Sequence, residues 1–347
     1  MKKIFLTLLL TLATLTITAQ ELVVGTEFET RFDNREYSSC DFSESTTIFG
    51  VGFSPEVGIQ WAEKNRLMVG MNLTHDFGDE NGISSVEFMV YYQFNHPNWG
   101  INAGIFPRSK MIGTYSEAFF DDKTSFYHDP LQGLLFNYRS TSSNSYAEFL
   151  IDWEGLRSNT QREKFRIVAD GRWDNERMYA GGTVMMLHYA KTLLEEAHEG
   201  VVDNILINPH LGMRLNGNWA FEARLGYLQV MQRDRVTDSG WLTPKGGELW
   251  LSLSRWNLTL DNKLYVGENL LPLFAAYGEE LYEASTFYGV TGNIYNRTAL
   301  SYNRNFFNDT LSLEAKFIAH YDGVGVGLQQ VLKLGVNFEK LFFGKKK

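Results

Sequence analysis

The chain has 347 residues, a net charge of −9 and a single cysteine, Cys40. The acidic balance argues against nucleic acid as a partner, and one cysteine excludes both an internal disulfide and a thiolate metal cluster. Aromatic residues are abundant at 14% while proline is scarce at 7 residues, which suits a sheet with interfacial aromatic girdles and few broken ladder bonds.

The N-terminus reads Met1-Lys2-Lys3, then an apolar run from Ile4 to Leu15, then Ile17-Thr18-Ala19. A basic start, a short apolar stretch and a small residue predict an export signal over residues 1–19, cut before Gln20. No cysteine stands at the cut, so a lipid anchor there is not expected.

From residue 20 onward no apolar run reaches the roughly 18 residues of a spanning helix. The pattern instead has period two, which marks β-strands. Candidate strands fall near 21–32, 46–62, 67–76, 85–95, 98–108, 131–140, 145–154 and 163–173. Eight more fall near 176–190, 203–214, 218–230, 247–256, 257–267, 292–303, 309–321 and 329–341. In the segment 311–321, Leu311, Leu313, Ala315, Phe317, Ala319 and Tyr321 share one face, and Ser312, Glu314, Lys316 and His320 the other, with Ile318 as the exception. A mean hydropathy of −0.24 hides this, because half-apolar strands average to neutral.

The connections alternate in length. Tight reversals stand at 63–66, 96–98, 174–175, 216–218 and 256–257; longer ones span about 33–45, 109–130, 191–202, 231–246 and 268–291. Short periplasmic turns opposite long outer loops predict an all-β fold: a transmembrane, antiparallel, up-and-down β-barrel of about sixteen strands, in one domain over 20–347. A secreted β-sandwich would show the same alternation with apolar residues inward. Two features oppose it: the number of strands in one unbroken domain, and the many glycines and charges on the polar faces.

If the apolar face meets lipid, the other lines a lumen, because an unpaired charge in hydrocarbon costs about 2–4 kcal/mol. That assigns Arg108, Arg139, Glu148, Asp152, Lys164, Arg166, Arg172, Arg214 and Arg224 to the wall. The third outer connection, 109–130, carries Glu117, Asp121, Asp122 and Asp129. In strand number, loop order and charge layout the chain resembles general porins. The resemblance implies that this third loop folds into the lumen and sets its acids opposite Arg108, Arg139, Arg166 and Arg172, forming a constriction with a transverse field. A rival arrangement uses the same charges to staple the loop and close the lumen. The terminal segment Val331–Phe343 resembles the strand that such barrels present to the barrel assembly machinery, although Gly344-Lys345-Lys346-Lys347 follows it.

No Gly-x-Ser-x-Gly elbow and no His-Glu-x-x-His pair occurs, so the sequence predicts neither an enzyme nor a zinc site. No cofactor is implied. The expected function is a porin-like outer-membrane channel for passive diffusion of small polar solutes. The alternative is a closed barrel that binds a ligand or protein through its outer loops. Membrane lipids and a second copy of the chain are the other candidate partners.

Overall fold

The computed structural model describes residues 20–342, except 42, 81, 122–123, 128–129, 195–198, 238–239 and 291. The expected export signal and the terminal Phe343–Lys347 lie outside the described residues. Sixteen antiparallel strands close into one barrel, each beside its sequence neighbour, with the last paired to the first. The first half comprises β1 (Gln20–Glu36), β2 (Thr46–Trp61), β3 (Asn65–Asp76), β4 (Ser85–Asn95), β5 (Trp99–Phe106), β6 (Leu131–Arg139), β7 (Tyr146–Gly155) and β8 (Lys164–Asp174). The second half comprises β9 (Met178–Tyr189), β10 (Val202–Leu215), β11 (Ala220–Asp234), β12 (Lys245–Arg255), β13 (Leu258–Gly267), β14 (Ile294–Phe306), β15 (Leu311–Tyr321) and β16 (Val326–Phe342).

Closure runs along the long seam from Leu22 opposite Phe342 to Glu36 opposite Leu328, so no edge is left to meet hydrocarbon. The register places inward residues opposite inward residues all the way round. On β8 it sends Lys164, Arg166, Asp170 and Arg172 inward, and Phe165, Ile167, Ala169 and Trp173 outward, as the alternation predicts. Outward Leu225, Trp173 and Phe317 are half-exposed or more, as lipid-facing side chains of an isolated barrel must be. This is an outer-membrane barrel, and its belt fixes its location.

The apolar exception Ile318 is not a break in phase. It points inward and packs, fully buried, against Ala299 and Val331. Val168 is likewise inward and buried in the main interior cluster. The lumen therefore holds packed apolar contacts as well as charges.

Tight turns bound one end. The β12–β13 hairpin reverses over Trp256-Asn257, with Trp256 in the left-handed region at φ 58°, which is uncommon for a bulky residue. Its ring is 80% exposed and lies under the Arg255 guanidinium at 4.2 Å, an anchor for the periplasmic interface. Facing gives a direct test. Arginine at Ile167, Leu225 or Phe317 is expected to cost about 2–4 kcal/mol near mid-depth, while arginine at lumenal Ser312 should be tolerated. Heat-modifiable migration of the four variants reads the difference; equal behaviour would refute the phase.

Candidate functional site

Two outer loops turn down into the barrel and meet there. The connection after β5 leaves Pro107 and runs along the inner wall of β6 and β7. Backbone N–H groups of Ile112 and Gly113 donate to the Glu148 carboxylate at 2.6 and 3.2 Å, and the Tyr115 hydroxyl donates to it as well. Thr114 N–H donates to the Tyr146 hydroxyl at 3.1 Å. Burial, then the Glu148 charge, push the Tyr115 phenol well above its ordinary range, so it stays a donor. Glu148 is itself 3% exposed. A buried carboxylate needs such donors, and here they come from the loop.

The loop then crosses to the far wall. Ser116 Oγ donates to Glu248 on β12 at 2.8 Å. The Glu117 carboxylate lies 3.1 Å from Lys263 Nζ on β13 and 3.5 Å from Arg297 Nε on β14. Phe119 is fully buried, and Asp121 approaches Arg35 of β1 at 3.7 Å.

The connection 268–293 descends to meet it. Asp121 N–H donates to the Glu283 carbonyl at 2.7 Å, and Ser285 N–H to the Glu117 carbonyl at 2.9 Å. The Glu283 side chain lies 2.5 Å from Arg166 Nη1 and 3.4 Å from Arg108 Nη1. Tyr288 donates its hydroxyl to Glu248. Leu281, Tyr282, Phe287 and Tyr288 are all buried. These side chains fill the interior beneath the mouth.

Above the crossing lie three adjoining cavities of about 430, 440 and 360 Å³, and Glu279 borders all three. Arg35, Arg297, Arg108 and Lys164 face Glu117, Asp121 and Glu283 across this vestibule.

The other wall residues lie elsewhere. Asp152 accepts the Gln132 N–H at 2.7 Å, and Lys164 pairs with Glu154 at 2.8 Å. Arg172 and Arg214 both approach Asp174 near the periplasmic end, at 3.4 and 2.6 Å. Arg224 reaches Glu248 at 3.5 Å. Arg139 ends β6 at the periplasmic rim, with its N–H on the Asn98 carbonyl. Arg139 and Arg172 thus stand away from the third loop, whose described acids Glu117 and Asp121 meet Arg35, Lys263 and Arg297 instead. Asp122 and Asp129 lie outside the described residues. Glu283, the partner of two wall arginines, had no sequence signal beyond its place in an aromatic-rich outer loop.

The first outer loop is tied to the last. Asp322, between β15 and β16, accepts N–H groups from Asp41, Val324 and Gly325 at 2.8, 3.0 and 2.8 Å. Burial, then the charges of Asp322 and Asp41, push the neighbouring Cys40 thiol up to about 11. Only the thiolate is nucleophilic, so maleimide labelling of Cys40 should be slow at pH 7 and rise steeply up to about pH 11. Rapid labelling at neutral pH would contradict this packing.

The sequence profile of the lipid A 3'-O-deacylase-type family matches residues 15–347. The chain belongs to that family. The expectation of a barrel that is not an enzyme is thereby overturned: the family is named for an esterase activity, and no short catalytic motif in the sequence announces it. No curated protein matches the sequence. Among solved structures, the barrel is similar to Pseudomonas aeruginosa OpdK with vanillate, at 9% identity and a TM-score of 0.52, covering 92% of this chain and 99% of that one. It is also similar to P. aeruginosa OpdL, at 10% identity, a TM-score of 0.52 and coverage of 93% and 99%. Acinetobacter baumannii OccAB2 gives 8% identity, a TM-score of 0.53 and coverage of 92% and 98%. At these identities the likeness is one of fold: a closed β-barrel.

Proposed function

We propose that the chain is a porin-like outer-membrane channel for small polar solutes, with the crossing of residues 110–121 and 281–288 as its selective constriction. The observation that carries this reading is the charged vestibule that ends on that crossing, where Glu117, Asp121 and Glu283 face basic residues of the wall. Opposed charges in a narrow, low-dielectric passage orient a dipolar solute and screen by size. Residues 1–19 direct export in this reading, and β16 engages the barrel assembly machinery. Reconstitution into planar bilayers tests it. Discrete conductance steps that grow when residues 110–120 are replaced by a Gly-Ser linker support the channel; silence from both forms rejects it.

A second reading, ester hydrolysis on lipid A, is favoured by the family match over 15–347 and by one feature of the outer wall. His188 and Asp203 face lipid at the outer ends of β9 and β10, with His188 Nδ1 3.7 Å from Asp203 Oδ1. Arg235 holds the same carboxylate at 2.9 and 3.2 Å. An imidazole beside a carboxylate can activate water, and a neighbouring guanidinium suits a phosphorylated lipid. Mass spectrometry of lipid A incubated with the purified barrel would show loss of an acyl chain, abolished by His188→Asn. Unchanged lipid A would reject it.

A further inference from the structure

Two outward guanidiniums stand close together at the periplasmic rim of the lipid-facing wall. Arg255, the last residue of β12, lies between two indole rings, 4.2 Å from that of Trp256 and 5.0 Å from that of Trp219. Arg304 of β14 lies 4.9 Å over the ring of Phe306. The register sets them side by side: Arg255 pairs with Leu258, and Leu258 with Tyr302, two residues before Arg304. With strands about 4.8 Å apart, Arg255 and Tyr302 are about 10 Å from each other along the rim. Among the described residues no carboxylate pairs with either arginine. Asp309, in the turn after β14, is held by Asn305 at 3.0 Å. The Tyr302 hydroxyl takes hydrogen bonds from the Arg304 and Asn257 side chains, which leaves its own proton for an acceptor. Directly above, Leu253, Leu260 and Leu300 stand opposite one another in an outward apolar row, each more than a third exposed. Arginine at the outer rim is placed differently, since Arg235 is paired with Asp203 at 2.9 Å.

We infer that this rim, from Trp219 across β12 and β13 to Arg304, is a binding site for an anionic phospholipid of the periplasmic leaflet. A guanidinium carries five N–H donors in a planar fork that matches a phosphate. Arg304 spends part of its fork on Tyr302, and no hydrogen bond of Arg255 is found among the described residues. The rings beneath them hold both forks at headgroup depth, where aromatic residues of a barrel settle. Phosphate is the anion that a bilayer presents at that depth, and the leucine row above receives the acyl chains. Two cations without an acid beside them also discriminate among lipids. They attract a headgroup of net negative charge and repel the ammonium of a zwitterionic one.

The test uses the full-length barrel in nanodiscs that contain equal amounts of phosphatidylglycerol and phosphatidylethanolamine. After gentle release, native mass spectrometry should find phosphatidylglycerol retained about tenfold over phosphatidylethanolamine, as charge-assisted pairing with two guanidiniums implies. Arg255→Gln with Arg304→Gln should bring the two lipids close to parity. Arg177→Gln, at an exposed cation of another periplasmic turn, should leave the ratio as it is. If the glutamine pair fails to assemble, Arg255→Lys with Arg304→Lys decides: it keeps the charge, loses the fork, and should give an intermediate ratio. Excess inorganic phosphate should not displace the lipid, because it has no chains to lay on the leucines. Equal retention of both lipids by the native barrel, an unchanged ratio in the paired variants, an equal loss with Arg177→Gln, or displacement by inorganic phosphate would each overturn the inference.

Discussion

Replacing Glu148 with leucine should at least double the single-channel conductance of the barrel. The carboxylate is the anchor of the third loop on β7, accepting the N–H groups of Ile112 and Gly113 and the Tyr115 hydroxyl. Hydrogen bonds to a charged group contribute about 1.5–3 kcal/mol each. Losing even ~3 kcal/mol in total changes the balance between docked and released loop by more than 100-fold. A released arm that is rare in the native protein then becomes a major state, and the passage beside β7 widens. Glu148→Gln keeps an acceptor and should fall between the two. Conductance unchanged in both variants would show that this arm does not limit flow.

Neutralising Glu283 to glutamine should produce the other large effect, on stability and on ion selectivity together. Its carboxylate serves Arg166, which is 2% exposed, and Arg108. Removing one member of a buried ion pair costs about 3–5 kcal/mol when the partner is left alone; Arg166 keeps Glu154 at 3.0 Å, so the loss should fall below that range. The temperature at which the barrel loses heat-modifiable migration should drop accordingly. In bilayers the reversal potential should move toward anions, since the freed guanidinium charges then dominate the local potential. The shift should fade at 1 M salt, where the Debye length is about 3 Å. Combining Glu283→Leu with Arg166→Met should recover much of the stability, because an apolar pair of similar size removes the desolvation cost. A Glu283→Gln barrel as stable and as selective as the native one would refute this account.

The wall was legible in the sequence because a strand has only two faces. Once Phe165, Ile167 and Ala169 are placed toward lipid, the pleat leaves Lys164, Arg166 and Asp170 no choice but the lumen. Hairpin length carried the rest of the topology, down to the reversal at Trp256-Asn257. The interior partners were not legible. Glu117 meets Lys263 and Arg297, which are more than 140 residues away in the chain, and nothing periodic links a loop acid to a wall base. The descent of loop 268–293 was hidden for a similar reason. The sequence only places Tyr282 and Tyr288 in an outer loop, and their inward position rests on Gln232 and Glu248, hydroxyl acceptors on distant strands. The family membership was the furthest from view, since no compact catalytic motif stands in the chain.

The anchors of the two crossing loops come from β1, β7, β8, β11, β12, β13 and β14, walls that enclose one lumen only once β16 has met β1. Full docking of the loops across the lumen therefore requires the closed ladder. It can be undone while the ladder stays shut. Amide exchange should separate into two regimes: the few loop N–H groups held by wall side chains open at low cost, and the strand N–H groups open only when the cylinder itself breaks. The chain thus carries a small, reversible folding unit inside one that, once inserted, has no cheap way out.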